Sequence, residues 1–210
     1  MLETSDKKFN FLENPIYVTI TTVAPPRGSN AIASFDYSIF GTNKKAVLAV
    51  KNYTDNFCLF YALELSRLYH DQSEIGRLKK GKKRTFQPPK HLHSRYKFSK
   101  ILKHPELQRE LAINLMKNVG IPTNLPSYGV EHLPDIQKYY DKKYGRSMYR
   151  IVLIDDSSRF KPLWKGPYGR RYNVSVLLHT DAEHYSGLKS IAQYFCAKKY
   201  CPGKPKKILF

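Results

Sequence analysis

Residues 46–70 read AVLAVKNYTDNFCLFYALELSRLYH, and this stretch decides the fold because its periodicity changes within a few residues. Ala46 to Val50 is a short apolar run typical of a strand, and Lys51 to Asn56 is polar and typical of a turn. A helix is predicted next, because apolar side chains recur near helical spacing at Leu59, Ala62, Leu63, Leu65 and Leu68. A side-chain oxygen of Thr54 or Asp55 can cap that helix, so Cys58 is expected in its first turn.

The other elements are predicted from periodicity and from turn residues. Strands are expected at Ile16–Val23, 148–154, 172–179 and 184–188, helices at 105–119 and 134–144, and a loop at 155–171. Each of these helices has a proline near its start and a glycine after its end. The strands at 148–154 and 172–179 are expected to pair, and the last two strands form a hairpin that places His184 at a strand start. This mixture indicates an α+β domain.

Composition and charge limit the class of protein. The 210 residues carry 36 Lys and Arg against 17 Asp and Glu, a net charge of +19, and 41% of them are hydrophobic. The chain is too apolar for a disordered polycation and has the length of one domain, residues 1–210. The surplus positive charge predicts a polyanionic partner, with nucleic acid ahead of an anionic membrane surface or an acidic protein.

The sequence also indicates a compartment. No stretch is long and apolar enough to span a bilayer, and the start, MLETSDKKFN, does not resemble a signal peptide. The three cysteines, Cys58, Cys196 and Cys201, give no disulfide framework. We therefore expect an intracellular protein of the nucleus or cytoplasm, with no membrane partner.

The segment 77–103 is the most basic part of the chain, with eleven Lys or Arg and no acid. Aromatic and histidine side chains interleave with these charges, a mixture suited to phosphate contacts and base stacking. The alternative is a solvated surface loop. The residues predicted to bind nucleic acid are Arg77, Lys79, Lys80, Lys82, Lys83, Arg84, Lys90, Arg95 and Lys97. A short basic tail, 201–210, ends the chain.

Cys58 and His184 are the candidates for chemistry. A thiol in the first turn of a helix faces backbone N–H groups and the positive end of the helix dipole, which favour the nucleophilic thiolate. Taken alone, such a cysteine is more often an inert core residue, and a lone strand histidine is more often a hydrogen-bonded structural residue. The two become a candidate nucleophile and base only as a pair.

The run TDNFCLFYAL resembles the active-site segment of the ovarian tumour (OTU) family of cysteine proteases, with matches at Asp55, Cys58, Leu59, Phe60 and Ala62. His184-Tyr185 is similar to the late His-Tyr pair that carries the family's general base. The resemblance implies a papain-like fold, with a small central sheet flanked by helices. It implies Cys58 as nucleophile and His184 as base, with Ser186 where the family has Asn or Asp. Asp55 would support the site by shaping the oxyanion loop.

A second resemblance covers most of residues 46–201 and includes the runs YGVEHLPDIQKYYDKKYG and HYSGLKSIAQYF. These are similar to the region that precedes the polymerase in Polinton- and bidnavirus-type protein-primed family-B DNA polymerases. The resemblance implies a replication system of viral or transposon origin. A Cys-x-x-Cys zinc ribbon that follows in that group is incomplete here, so no metal and no cofactor is expected.

Two functions are expected from these observations. The first is an OTU-like protease, a deubiquitinase or processing enzyme, that cleaves a peptide or isopeptide bond of a ubiquitin-like or replication protein. The alternative is a non-enzymatic basic nucleic-acid-binding module, or a fragment, associated with a protein-primed family-B DNA polymerase. It would bind DNA or RNA through residues 77–103 and keep the same fold as a scaffold.

Overall fold

The computed structural model describes residues 27–28, 45–50, 54–79, 98–156, 161–180 and 182–195. The strand predicted at Ile16–Val23, the basic residues 80–97 and the tail 201–210 lie outside these ranges. The strands are β1 (Arg27–Gly28), β2 (Val47–Leu48), β3 (Tyr128–Gly129), β4 (Tyr149–Asp155), β5 (Pro162–Lys165), β6 (Tyr172–His179) and β7 (His184–Leu188). The helices are α1 (Cys58–Lys79), α2 (Phe98–Lys103), α3 (Pro105–Val119), α4 (Leu133–Tyr144) and α5 (Ile191–Tyr194).

Five strands form a mixed sheet in the order β2-β7-β6-β4-β5. β4 and β6 pair in parallel, and the other neighbours are antiparallel. The predicted hairpin is confirmed, with His179 opposite His184 in the register of β6 and β7. The predicted pairing of the strands near 149 and 172 is also confirmed. β1 and β3 form a separate two-stranded antiparallel sheet. The fold therefore combines helices with a five-stranded mixed sheet, as an α+β class requires.

Helix α1 begins at Cys58, as the sequence indicated, and Asp55 Oδ1 accepts a hydrogen bond from the backbone N–H of Phe57 at 3.1 Å. The helix is longer than the apolar pattern suggested, because it continues to Lys79. Arg77 and Lys79 are thus helical rather than part of a loop. Side-chain pairs one turn apart support this extension, such as Arg77 with Glu74 at 2.6 Å.

Two apolar clusters lie on opposite faces of the sheet. The larger one contains Cys58, Phe60 and Tyr185 together with residues of α1, α3 and α4. The smaller one contains Leu177, Leu188 and residues of α5. Since side chains alternate along a strand, Tyr185 and Gly187 of β7 face α1, and His184, Ser186 and Leu188 face the other way.

The two helices that were predicted from a proline near the start and a glycine after the end are confirmed. α3 spans Pro105 to Val119 and ends at Gly120, whose φ of 82° is the left-handed conformation that glycine adopts most easily. α4 begins at Leu133, one residue earlier than predicted, and ends before Gly145.

The loop prediction for residues 155–171 was wrong in part, because β5 lies within it and pairs with β4 at the sheet edge. Pro162 and the glycines nearby indicated a loop. An edge strand tolerates proline as its first residue, since one side of it makes no ladder hydrogen bonds.

The contact between α1 and β7 gives a first prediction. A Cβ atom added at Gly187 would lie 2.9 Å from the Ala62 carbonyl oxygen, closer than packed atoms approach. Gly187→Ala should therefore lower the unfolding free energy by about 1–3 kcal/mol, by pushing α1 away from the sheet. Gly76→Ala is the matched control: nothing lies within 4 Å of its Cβ, so the helix should gain about 0.5–1 kcal/mol. Urea unfolding measures both, and equal effects of the two would contradict this packing.

Candidate active site at the start of helix α1

The Cys58 thiol is fully buried at the first residue of α1. Burial raises its pKa to about 12, although backbone hydrogen bonds from Tyr185 and Leu59 act in the opposite direction. The helix start does favour the thiolate, as the sequence suggested, but the loss of hydration is larger. With this pKa the sulfur is a protonated thiol at neutral pH.

His184 is the first residue of β7 and is also buried, with 1% of its surface exposed. Its ring lies against the ring of His179 across the hairpin, with centroids 6.2 Å apart and planes 17° from parallel. The thiol of Cys58 reaches the backbone of Tyr185, the residue that follows His184. The fold thus brings Cys58 to the backbone of Tyr185, whereas strand alternation directs the His184 side chain to the other face of β7, beside the ring of His179.

Ser186 is buried on the same face of β7 as His184. Its hydroxyl lies 3.0 Å from Nε2 of His179, so it is engaged with the histidine of the neighbouring strand. Asp156 approaches the other nitrogen of that ring, with its Oδ2 3.7 Å from Nδ1. Burial, and to a smaller extent the electrostatic repulsion between the two histidine rings when both are protonated, lowers the pKa of His179 to about 3, so this ring is neutral at physiological pH.

Asp55 organises the loop before α1. Besides the Phe57 N–H, its carboxylate accepts hydrogen bonds from the Tyr61 hydroxyl at 2.7 Å and from Nε of Arg109 at 3.3 Å. Asn56 donates to the Leu125 carbonyl at 2.7 Å, which ties the same loop to the segment after α3. Asp55 is placed to fix the conformation of the peptide units that precede Cys58.

Sequence reasoning missed three participants in this region: Tyr61, Arg109 and His179. Tyr61 carried a weak signal, because it lies near Asp55 in a predicted helix. Arg109 carried none, since its contact with Asp55 joins residues 54 positions apart. His179 could have been found from the hairpin register, because a strand residue opposite His184 shares its face.

Most of the predicted nucleic-acid-binding residues lie outside the described ranges: Lys80, Lys82, Lys83, Arg84, Lys90, Arg95 and Lys97. Of the other two, Arg77 has a half-exposed side chain paired with Glu74, and Lys79 ends α1. Cys196 and Cys201 also lie outside those ranges. Within the ranges, no three His, Cys, Asp or Glu side chains are placed to hold a metal ion.

The burial of Cys58 gives a second prediction. The Cys58 thiol has a pKa near 12 and no exposed surface. At neutral pH, iodoacetamide should therefore modify Cys58 roughly a thousandfold more slowly in the native protein than in the urea-unfolded chain. Peptide mapping by mass spectrometry follows the modification of this residue alone. Equal rates in the native and unfolded states would mean that the thiol is open to solvent.

The chain matches no protein-family model, no curated protein and no solved structure. None of the helices that the structure describes is long and apolar enough to cross a membrane.

Proposed function

We propose that the chain is a thiol hydrolase of the OTU type with a papain-like fold, in which Cys58 is the nucleophile and His184 the general base. The observation that supports this most strongly is the contact between the Cys58 thiol and the Tyr185 backbone, one residue from His184. It places the two short motifs that the sequence resemblance singled out next to each other, although they are distant in the sequence.

The chemistry proposed for this pair requires the His184 ring, which strand alternation directs away from α1, to turn toward the sulfur when the site opens. The thiol proton of Cys58 then passes to His184. The thiolate attacks the carbonyl carbon of a peptide or isopeptide bond, and the backbone N–H of Cys58 and the loop before it stabilise the oxyanion. The His184 imidazolium then donates its proton to the leaving amine as the C–N bond breaks. Water, deprotonated by the same imidazole, hydrolyses the resulting thioester and regenerates the thiol.

The buried thiol implies that substrate binding opens the site. Cys58 is 0% exposed and His184 is 1% exposed, so no substrate carbonyl reaches them in this closed form. Access of water and of a substrate, with the imidazole beside the sulfur, would bring the thiol pKa down toward the working range. Asp55 would hold the oxyanion loop in place during this change through its contacts with Tyr61 and Arg109.

The substrate class proposed is a ubiquitin-like or replication protein. The test is hydrolysis of a fluorogenic amide at the C-terminus of ubiquitin, alongside an unrelated fluorogenic peptide of the same leaving group. We expect the protein to hydrolyse the ubiquitin amide. Pretreatment with iodoacetamide in mild denaturant, followed by refolding, should abolish this hydrolysis. The same pretreatment without iodoacetamide is the control. Wild-type protein that hydrolyses neither substrate above the buffer rate would overturn the proposal.

The net charge of +19 favours a second candidate, a nucleic-acid-binding module. Polyanion binding needs only the positive field and neither Cys58 nor His184. Salt-dependent oligonucleotide binding without any thiol-dependent hydrolysis would favour this candidate over the enzyme.

A further inference from the structure

A polar cavity of about 240 Å³ lies far from Cys58, at the other end of β7. It is bounded by the middle of α1, the start of β6 and the connection from β7 to α5. Its polar lining residues are His70, Arg171, Asn173, Ser175, Lys189 and Ser190, and among the residues that the structure describes no Asp or Glu lines it. His70 follows Cys58 by twelve positions in the same helix, which places it roughly 18 Å from the thiol along the axis.

Two cationic side chains, Arg171 and Lys189, line this cavity. Arg171 pairs with Glu74 at 2.7 Å, but the same carboxylate also receives Arg77 and the Tyr172 hydroxyl. One negative charge therefore serves two guanidinium groups, and the half-exposed Arg171 keeps donors available. Lys189 donates to the Lys45 carbonyl at 2.7 Å, a neutral acceptor, and no carboxylate of the described residues pairs with its ammonium group. The cavity wall is thus electropositive.

His70 adds a hydrogen-bond acceptor to this electropositive wall. Its ring stacks on the Tyr172 ring, with centroids 5.0 Å apart and planes 22° from parallel, and the Asn173 backbone hydrogen-bonds it. Nε2 is buried and has no hydrogen-bond partner within the described part of the chain, so a ligand in the cavity reaches it only after a small shift of the ring or its neighbours. Burial lowers the pKa of His70 to about 4, so the ring is neutral. A neutral imidazole that donates to a carbonyl through one nitrogen offers a lone pair at the other.

A buried acceptor without a partner is costly, and any hydrogen-bond donor, including water, can satisfy it. In an electropositive cavity the ligand that fits best is both anionic and a hydrogen-bond donor. A protonated phosphate or phosphate monoester has this chemistry, because it carries anionic oxygens and one O–H. We propose that the cavity binds such a phosphate group, with its anionic oxygens on Arg171 and Lys189 and its hydroxyl donating to Nε2 of His70. A phosphodiester or a sulfate has the charge but lacks the O–H.

The test is calorimetric titration of the full chain at about pH 6, where a phosphate monoester is substantially protonated. Inorganic phosphate should bind and sulfate should bind about tenfold more weakly, because only phosphate can donate to Nε2. Arg171→Gln and Lys189→Gln should each weaken phosphate binding about tenfold. Lys138→Gln removes the same charge from an exposed part of α4 and is the control, which should stay within about twofold of wild type.

A separate variant tests the contribution of His70 to phosphate binding. His70→Phe keeps an aromatic ring against Tyr172 and removes the acceptor, so it should abolish the preference for phosphate over sulfate. A 5′-phosphorylated oligonucleotide compared with its 5′-hydroxyl form distinguishes the sources. Tighter binding of the phosphorylated form assigns a nucleic-acid terminus, and equal binding with phosphate affinity intact assigns free phosphate. The proposal is overturned by equal affinity for phosphate and sulfate in wild type, or by unchanged phosphate affinity in both charge variants.

Discussion

Replacing Arg67 with Met is expected to lower the unfolding free energy by about 3–5 kcal/mol, the largest stability loss that we predict for a single side chain. Arg67 is buried in α1, and its guanidinium holds Glu64 at 2.6 Å and Asp71 at 2.5 Å. The hydroxyl of Tyr140 donates to Glu64, and that of Tyr149 donates to Asp71. Burial raises the pKa of Asp71 even beside this cation. Without Arg67, two carboxyl groups would remain buried with tyrosine hydroxyls alone.

A matched control separates this effect from the loss of any arginine in α1. Arg77 pairs with Glu74 at 2.6 Å, but its side chain is 53% exposed, and Glu74 keeps Arg171 and Tyr172. Arg77→Met should therefore cost less than about 1 kcal/mol. Adding Glu64→Gln and Asp71→Asn to Arg67→Met should recover part of the loss, because both remaining charges are removed. Urea unfolding that shows equal costs for the two arginine variants would contradict a buried ion network.

The second large effect concerns turnover. Cys58→Ala and His184→Ala should each reduce hydrolysis of the ubiquitin amide by at least about a thousandfold, because the nucleophile and its base act as one unit. The double variant should lose no more than either single variant does, since the residues are not independent. Initial rates and circular dichroism measured on each variant separate a loss of chemistry from a loss of fold.

Ser186→Asn refines the same prediction. Asn restores the residue type that the family resemblance implies beside the histidine, and its amide oxygen can orient an imidazole. Ser186 lies against His179 in the wild-type protein, so a rise in the hydrolysis rate requires that the new side chain reach His184 instead.

Full activity in either Cys58→Ala or His184→Ala would exclude the proposed roles of both residues.

Elements with their own start and stop signals could be predicted from the sequence. Pro105 and Gly120 delimit α3 because proline suits the first helical turn and glycine the left-handed residue after it. Cys58 could be placed at the start of α1 for a similar reason, since a polar turn precedes an apolar helical pattern. The hairpin of β6 and β7 needed only two strand patterns and a short turn.

Features that depend on distant residues could not be predicted. The charged residues of α1 at 64, 67 and 71 look like a solvated helix face, and only the tyrosines of α4 and β4 make that face buried. The pKa of Cys58 was expected to fall at a helix start, and it rises because the surrounding core removes water from the sulfur. The bond between Ser186 and His179 likewise depends on strand register.

The identity of the nucleophile is tested most directly by incubating the protein with an electrophile built on the C-terminus of ubiquitin and mapping the adduct by mass spectrometry. We predict one adduct, on Cys58, formed faster than the iodoacetamide adduct in the native protein because binding opens the buried site. His184→Ala should slow its formation by at least about a hundredfold, since the thiol loses its base. An adduct confined to Cys196 or Cys201, or none at Cys58 in wild type, would contradict the assignment.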